Sequence, residues 1–257
     1  MANKLFDIAG RRVLLVGGDS GIGLACAEAF ARAGARLVIA GVSQSDGDDR
    51  AARIAQETGS DVSYVEVDVR DEARVAAMVE TAVQRLGGLD IAMNNAGIPG
   101  PSAAIQDYDT DAFDNLFSIN VRGTFLSMKY EIPHLLESGK GSIINLASTA
   151  AITGLAMVGP YAGTKHAVAG LTKSAALELA AQNVRVNAIA PGPVQTNLLS
   201  TMRSNRQKTG FVGTTSVPMD RVSEPEEMAG AVLWLASDAS SFVTGAIVSV
   251  DGGVVAQ

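Results

Sequence analysis

At 257 residues the chain is long enough for one large α/β domain, and no break in composition divides it in two. Apolar residues make up 47% and aromatic residues only 5%, so the core has to be built from Ala, Val, Leu and Ile, which suits buried parallel strands covered by helices. A net charge of −7 with scattered basic residues offers no cationic stripe to nucleic acid, and no apolar run reaches the roughly 18 residues that cross a membrane.

The opening residues Met1 to Asp7 hold no apolar signal core, and the lone Cys26 has no partner for an internal disulfide, so a soluble, cytoplasmic protein is expected. A β-branched run predicts a first strand over residues 12–16, followed by a glycine-rich turn and an Ala-rich helix over 21–33. The alternation then repeats. Strands are predicted at 36–40, 62–67, 89–93, 141–146, 184–189 and 246–250, with helices at 47–58, 72–86, 111–137, 160–182 and 225–236. Strand-helix alternation of this kind implies right-handed crossovers, hence a single-domain, doubly wound, Rossmann-like α/β fold over residues 1–257: seven parallel strands with helices on both faces. Residues 148–159 and 196–223 each follow a strand without a clear period. Ligands of open α/β sheets bind at the carboxyl ends of strands, so these two segments are the expected substrate loops.

Between the first strand and helix runs Val16-Gly17-Gly18-Asp19-Ser20-Gly21-Ile22-Gly23. Glycines there let the backbone approach a pyrophosphate, and the helix N-terminus adds free amides and positive potential. A phosphate-bearing cofactor is expected. The spacing is GxxxGxG, not the GxGxxG of the standard dinucleotide fingerprint.

Tyr161 and Lys165 are four residues apart at the start of a predicted helix and therefore share a face. A phenol with a pKa of about 10 is a poor acid-base group at neutral pH, but a neighbouring ammonium favours the phenolate. Ser148 follows the strand over 141–146 and would stand at its carboxyl end as a hydroxyl donor. His134 and His166 are the only histidines and belong to no recognisable ligand cluster, so no metal is expected.

Taken together, Gly17-x-x-x-Gly21-Ile22-Gly23, Asn94-Asn95-Ala96-Gly97, Asn120, Ser148, Tyr161-x-x-x-Lys165, Pro191-Gly192 and Asp251-Gly252-Gly253 occur in an order that resembles the classical short-chain dehydrogenase/reductase family along nearly the whole chain. The resemblance implies that Tyr161 is the general acid in reduction and the base in oxidation, that Ser148 binds the substrate oxygen, and that Asn120 holds a water continuing the proton relay. Lys165 would bind the nicotinamide ribose and lower the tyrosine pKa. It also implies cofactor contacts at Gly17, Asp19, Ser20, Gly21, Ile22, Gly23 and Gly41, at Asp68 and Val69 near the adenine, at Asn94, Ala96 and Gly97, and at Pro191, Gly192, Val194 and Thr196, the last two near the carboxamide. A homotetramer with the tail at residues 251–257 near a subunit contact is a further implication.

Two positions depart from the family pattern. Val16 stands where Thr is common, which puts the rigidity of the glycine loop in question. Gly41 closes the second strand where NAD-preferring relatives carry Asp, and Val42 stands where NADP-preferring relatives often carry a basic residue. With Ser20, Gly41 and Val42 uncharged and Asp19, Asp46, Asp48 and Asp49 nearby, a 2′-phosphate finds no cation, so a modest preference for NAD over NADP is expected, and Gly41→Asp should sharpen it.

Ile98, Pro99, Leu155, Met157 and Val158 point to a fairly apolar secondary alcohol or its ketone as substrate. Two alternatives remain. One is a reductase of β-ketoacyl groups on a carrier protein, although the helix-end residues Ala180-Ala181-Gln182-Asn183 offer no basic docking patch; the other is a nucleotide-sensing scaffold without chemistry, against which Ser148, Tyr161 and Lys165 are all present.

Overall fold

Val13, Leu14 and Leu15 are sealed from solvent on both faces of the first strand, β1 (Arg12–Val16), which is why that strand reads as an unbroken apolar run. The computed structural model describes residues 4–210 and 216–257. Six further strands follow: β2 (Arg36–Gly41), β3 (Val62–Glu66), β4 (Ile91–Asn94), β5 (Gly141–Leu146), β6 (Val184–Pro191) and β7 (Ile247–Val250). They form one parallel sheet in the order β3-β2-β1-β4-β5-β6-β7, so the chain reverses direction across β1 and β4 and opens a crevice there.

Helices α1 (Gly21–Arg32) and α2 (Gln44–Thr58) pack on one face with a core around Phe30, Ile54 and Val232. Helix α3 (Glu72–Leu86) covers the other face, where Met78, Leu126 and Leu135 meet the sheet. Each fully buried large side chain of this kind contributes about 1.5–3 kcal/mol.

The single helix expected over 111–137 is three pieces: α4 (Thr110–Phe117), a π-helical turn at Ser118–Gly123, and α5 (Thr124–Glu137). Asn120 lies in the π turn, where its carbonyl accepts a hydrogen bond from Thr124 Oγ1 at 2.9 Å. Such turns insert one extra residue and commonly mark functional sites. Helix α6 (Gly159–Leu179) stops before residue 182, because a 3₁₀ turn at Ala180–Gln182 leads into Asn183 in the left-handed conformation. The segment 196–223, read as a loop, contains helix α7 (Asn197–Lys208), started by Thr196, whose hydroxyl accepts from the Leu199 amide at 3.3 Å. Residues 211–215 of that segment lie outside the described residues. Helix α8 (Pro225–Ala236) then packs against α1 and leads to β7.

The register aligns the strand ends that matter. Val16 pairs with Asn94, Asn94 with Asn145 and Asn145 with Ala188, so the segments leaving β1, β4, β5 and β6 emerge side by side.

Candidate active site

Gly17 has a φ of 77°, and a Cβ there would stand 2.5 Å from the Ala96 amide nitrogen. Gly21 is left-handed as well, with a φ of 51°. A Cβ on Gly23 would overlap the Gly17 carbonyl, so the backbone folds tightly enough to exclude a side chain at Gly17 and Gly23, while Gly21 is required by its left-handed conformation. The loop does not depend on a hydroxyl at position 16. Asn95 Nδ2 donates to the Gly17 carbonyl, and the Gly17 amide donates to Ala40 O at 2.7 Å. Ser20 caps α1 without a side-chain bond, whereas Asp71 and Asp109 cap α3 and α4 with theirs. The first amides of α1 therefore face the crevice uncapped. A glycine cradle and free helix-start amides are what a diphosphate needs, so the residues present fit a dinucleotide.

Ser148 follows β5 in extended backbone, and its Oγ accepts the Ala150 amide at 3.1 Å. Tyr161 and Lys165 project from the first turns of α6 into the same space, the Lys165 Nζ lying 5.8 Å from the centre of the Tyr161 ring. That Nζ donates to the Leu146 carbonyl at 2.8 Å, tying α6 to the end of β5. Burial pushes the Tyr161 phenol up to about 12, opposed by a hydrogen bond from Ser148, and pushes the Lys165 ammonium down to about 8. In the protein by itself burial dominates the shift of the phenol, and the hydrogen bond that favours the phenolate comes from Ser148.

Asn120 clasps the chain after β4. Its Oδ1 accepts the Ile98 amide at 2.8 Å, while its Nδ2 donates to the Ile98 carbonyl at 2.9 Å and to Thr164 Oγ1 at 3.2 Å. A Cβ on Gly97 would stand 3.2 Å from Asn120 Oδ1 and 3.7 Å from Lys165 Nζ, so these three positions adjoin.

The remaining expected residues fall into two groups. Ser20, Gly21, Ile22, Gly97, Ser148, Tyr161, Lys165, Pro191, Gly192, Val194 and Thr196 line one cleft of about 730 Å³, together with Leu155 and residues of α7. Asn94 does not line it: its side chain is buried and donates at 3.1 Å to Glu131 Oε2 and to Asn145 Oδ1. Asp68 is engaged by Arg70 at 2.6 Å, which holds its carboxyl below the usual range, and Val69 packs against Gly123. Gly192 abuts Asp251, bringing the tail against the end of β6.

Gly41 has a neighbour that the sequence order conceals. A Cβ there would overlap the Asp19 carboxylate and stand 2.7 Å from the Tyr64 hydroxyl, which itself lies 3.5 Å from Asp19 Oδ2. The space of the missing side chain at the end of β2 is thus filled by a carboxylate from the glycine loop. Sequence reasoning also missed Asn95, the buried Glu131, and the α7 residues Leu199, Met202, Arg203 and Arg206 that face the cleft.

Comparison with known proteins agrees with this geometry. A family model described as enoyl-(acyl carrier protein) reductase matches residues 16–255. The 2,5-dichloro-2,5-cyclohexadiene-1,4-diol dehydrogenase of Sphingobium indicum is 39% identical over 251 residues, covering 97% of this chain and 99% of that protein. The cis-4-hydroxycyclohexanecarboxylate dehydrogenase of Sinomonas cyclohexanicum is 39% identical over 248 residues, covering 96% and 98%. A solved structure from Beutenbergia cavernae, of a candidate NAD(P)-dependent gluconate 5-dehydrogenase with NADP bound at low occupancy, superposes with a TM-score of 0.90 at 33% identity, covering 98% of this chain and 100% of that one.

Proposed function

The chain belongs to the classical short-chain dehydrogenase/reductase family, and on that premise we propose that its cleft oxidises a cyclic, largely apolar secondary alcohol, or reduces the corresponding ketone, with Tyr161 as the acid-base residue. The observation that carries this reading is the convergence of Ser148, Tyr161 and Lys165 on one cleft with the glycine loop. A bound nicotinamide cofactor supplies the hydride acceptor for oxidation and the hydride donor for reduction.

The protein's task is to place the carbinol carbon and handle one proton. In oxidation Tyr161 Oη takes the proton of the substrate hydroxyl; in reduction it returns a proton to the carbonyl oxygen. Before substrate binds, Ser148 Oγ donates its one proton to the Tyr161 oxygen, which favours the basic form of Tyr161, and it turns that proton to the substrate oxygen once the alcohol or ketone is bound. Lys165 holds the nicotinamide ribose, and Asn120 positions Gly97 and Ile98 beside it and holds the water of the proton relay. Gly17, Ser20, Gly21, Ile22 and Gly23 cradle the diphosphate, Asp68 and Val69 flank the adenine, Ala96 and Gly97 follow the ribose, and Pro191, Gly192, Val194 and Thr196 take the carboxamide.

Segments 148–159 and 196–210 form the substrate walls of a single domain, and the apolar contacts of Ile98, Leu155 and Met202 support a substrate with a hydrocarbon ring. Both relatives named above act on ring alcohols. The cofactor is NAD(P), and we assign a preference for NAD because Asp19 offers a carboxylate, not a cation, where the adenosine ribose is expected. A homotetramer in the cytoplasm, as the family resemblance implies, completes the proposal. The test is Tyr161→Phe: cofactor affinity should stay near wild type while turnover of ring alcohols falls by about 10²-fold or more. A Phe variant that keeps a tenth of the wild-type rate moves the acid-base role elsewhere.

A further inference from the structure

Tyr64 lies on β3, two strands from the glycine loop that follows β1, yet its hydroxyl meets that loop at the end of β2. We infer that Tyr64 is a positioning residue for the cofactor: its hydroxyl, reaching past Gly47 and Gly41, steers the Asp19 carboxylate toward the adenosine ribose and so helps to set the preference for NAD over NADP. The inference rests on the NAD reading above and names a residue on which Asp19 depends. Tyr64 pairs with Ile39 in parallel register, so its side chain leaves the sheet on the same face as Ile39 and Gly41. That face is covered by α1 and α2, and Tyr64 belongs to its core at 3% exposure. A phenol hydroxyl in such a place needs a polar partner, and the apolar cluster it joins, with Ile39, Ala51 and Ile54, offers none.

Two missing side chains open the way to that partner. A Cβ on Gly47, in the first turn of α2, would overlap the tyrosine ring, and a Cβ on Gly41 would stand 2.7 Å from the hydroxyl. Through this gap the hydroxyl comes to 3.5 Å from Asp19 Oδ2, and the Ser43 amide hydrogen-bonds the same phenol oxygen. With Ser43 taking a lone pair, the one phenol proton points at the carboxylate. Burial and the Asp19 charge both push the phenol above its ordinary value, so it stays a proton donor at neutral pH. Among the described residues Tyr64 is the one hydrogen-bond donor to the Asp19 side chain. A carboxylate drawn to Tyr64 through Oδ2 keeps Oδ1 for the ribose, in the space that a side chain at Gly41 would fill. A 2′-phosphate in that space would meet a carboxylate and a neutral phenol, neither of them a cation. The 3.5 Å separation exceeds the roughly 2.5–2.7 Å of a closed hydroxyl-carboxylate bond, so the hydroxyl steers Asp19 without clamping it, and its removal has a several-fold effect.

The test is calorimetric binding of NAD and of NADP to the full chain, which needs no alcohol and no turnover. Tyr64→Phe keeps the ring beneath Gly47 and removes only the hydroxyl, and its melting temperature checks that it folds. The ratio of the NADP to the NAD dissociation constant should fall by about threefold, through weaker binding of NAD. In an Asp19→Ser background the same substitution should move the ratio no further, because no carboxylate is left to position. A loss shared equally by NAD and NADP would overturn the inference, since the tyrosine would then serve only the fold. So would a Tyr64→Phe effect that persists undiminished beside Asp19→Ser. If Asp19→Ser lowers the ratio and Tyr64→Phe does not, Asp19 keeps its place at the ribose and Tyr64 loses its role. If neither substitution moves the ratio, this inference and the NAD reading fall together.

Discussion

Asn94 Nδ2 donates to Glu131 Oε2 at 3.1 Å, linking the end of β4 to the middle of α5 beneath the floor of the cleft. The same atom donates to Asn145 Oδ1, and Asn145 Nδ2 continues to Thr172 Oγ1 at 2.9 Å, so one buried polar chain joins β4, β5, α5 and α6. Glu131 Oε1, Asn94 Oδ1 and Ser127 Oγ are left without partners among the described residues. Burial pushes the Glu131 carboxyl up to about 7.

A carboxyl raised in the folded state contributes stability that is fully present below its unfolded value, near 4.5, and lost as pH rises through about 7. Replacing it by Gln keeps an acceptor for Asn94 and removes the ionisation. Relative to Glu131→Gln, the wild type should therefore lose on the order of 3 kcal/mol between pH 5 and pH 8, measured by denaturant melts at each pH. A constant offset between the two proteins across that range would mean that Glu131 does not titrate there. Glu131→Leu should be less stable than Glu131→Gln at every pH, because one of the two Asn94 N–H groups is then buried without an acceptor while the other keeps Asn145, at a cost of about 1–3 kcal/mol.

Oxidation requires the phenolate of Tyr161, which the protein alone holds near 12, so kcat/KM for the alcohol should climb with pH above neutrality while ketone reduction declines. Ser148→Ala removes the bond that favours the phenolate and should move the oxidation profile further to the alkaline side as well as lower it. Lys165→Ala should also shift the profile if the ammonium acts on the tyrosine in the working complex. An unshifted Lys165→Ala profile together with weakened NAD binding assigns Lys165 to the cofactor only.

The sheet was legible because Val13, Leu14, Leu15 and their counterparts are buried on both faces, which leaves continuous apolar runs, and Tyr161 with Lys165 was legible because a four-residue spacing survives in any helix. The π turn at Ser118–Gly123 was not, since nothing in the order Ser-Ile-Asn-Val-Arg-Gly distinguishes a π turn from an α-helical one. Helix α7 escaped because Leu198, Leu199 and Met202 are too few to set a period among polar neighbours. Glu131 is a single acid among Leu126, Met128 and Leu135, and nothing local tells a buried carboxyl from an exposed one. Asp19 and Gly41 meet only through the pairing of β1 with β2, which composition and spacing do not contain.

Gly23→Ala should damage cofactor binding directly. Its methyl would overlap the Gly17 carbonyl and stand 2.6 Å from Asn95 Nδ2, so the glycine loop has to open and the backbone approach to the diphosphate is lost. NAD affinity, read by fluorescence titration, should fall at least about tenfold, equivalent to 1.4 kcal/mol. Gly230→Ala in α8 is the control: nothing lies within 4 Å of its would-be Cβ, and the helix should gain about 0.5–1 kcal/mol. Equal effects of the two substitutions would remove the steric argument for the cradle.

Cofactor choice turns on Asp19 and Gly41 together. A 2′-phosphate adds nearly two negative charges, and at the end of β2 it would meet the Asp19 carboxylate with no Arg or Lys at Ser20, Gly41 or Val42. NAD should bind more tightly than NADP by about tenfold, or 1.4 kcal/mol. Asp19→Ser should erase most of that ratio, since it removes both the repulsion and the ribose acceptor while leaving a small polar group. The sequence alone suggests that Gly41→Asp sharpens the preference, but the structure reverses the sign for the single variant. A side chain at 41 would push into Asp19 and the Tyr64 hydroxyl, placing two carboxylates in a half-buried space, so NAD binding should weaken. Combining Gly41→Asp with Asp19→Gly clears that space and moves the carboxylate from the loop to the strand, which should restore NAD affinity and the NAD preference. If Asp19→Ser leaves the ratio of the two dissociation constants unmoved, or the double variant binds NAD no better than Gly41→Asp alone, Asp19 does not face the adenosine ribose.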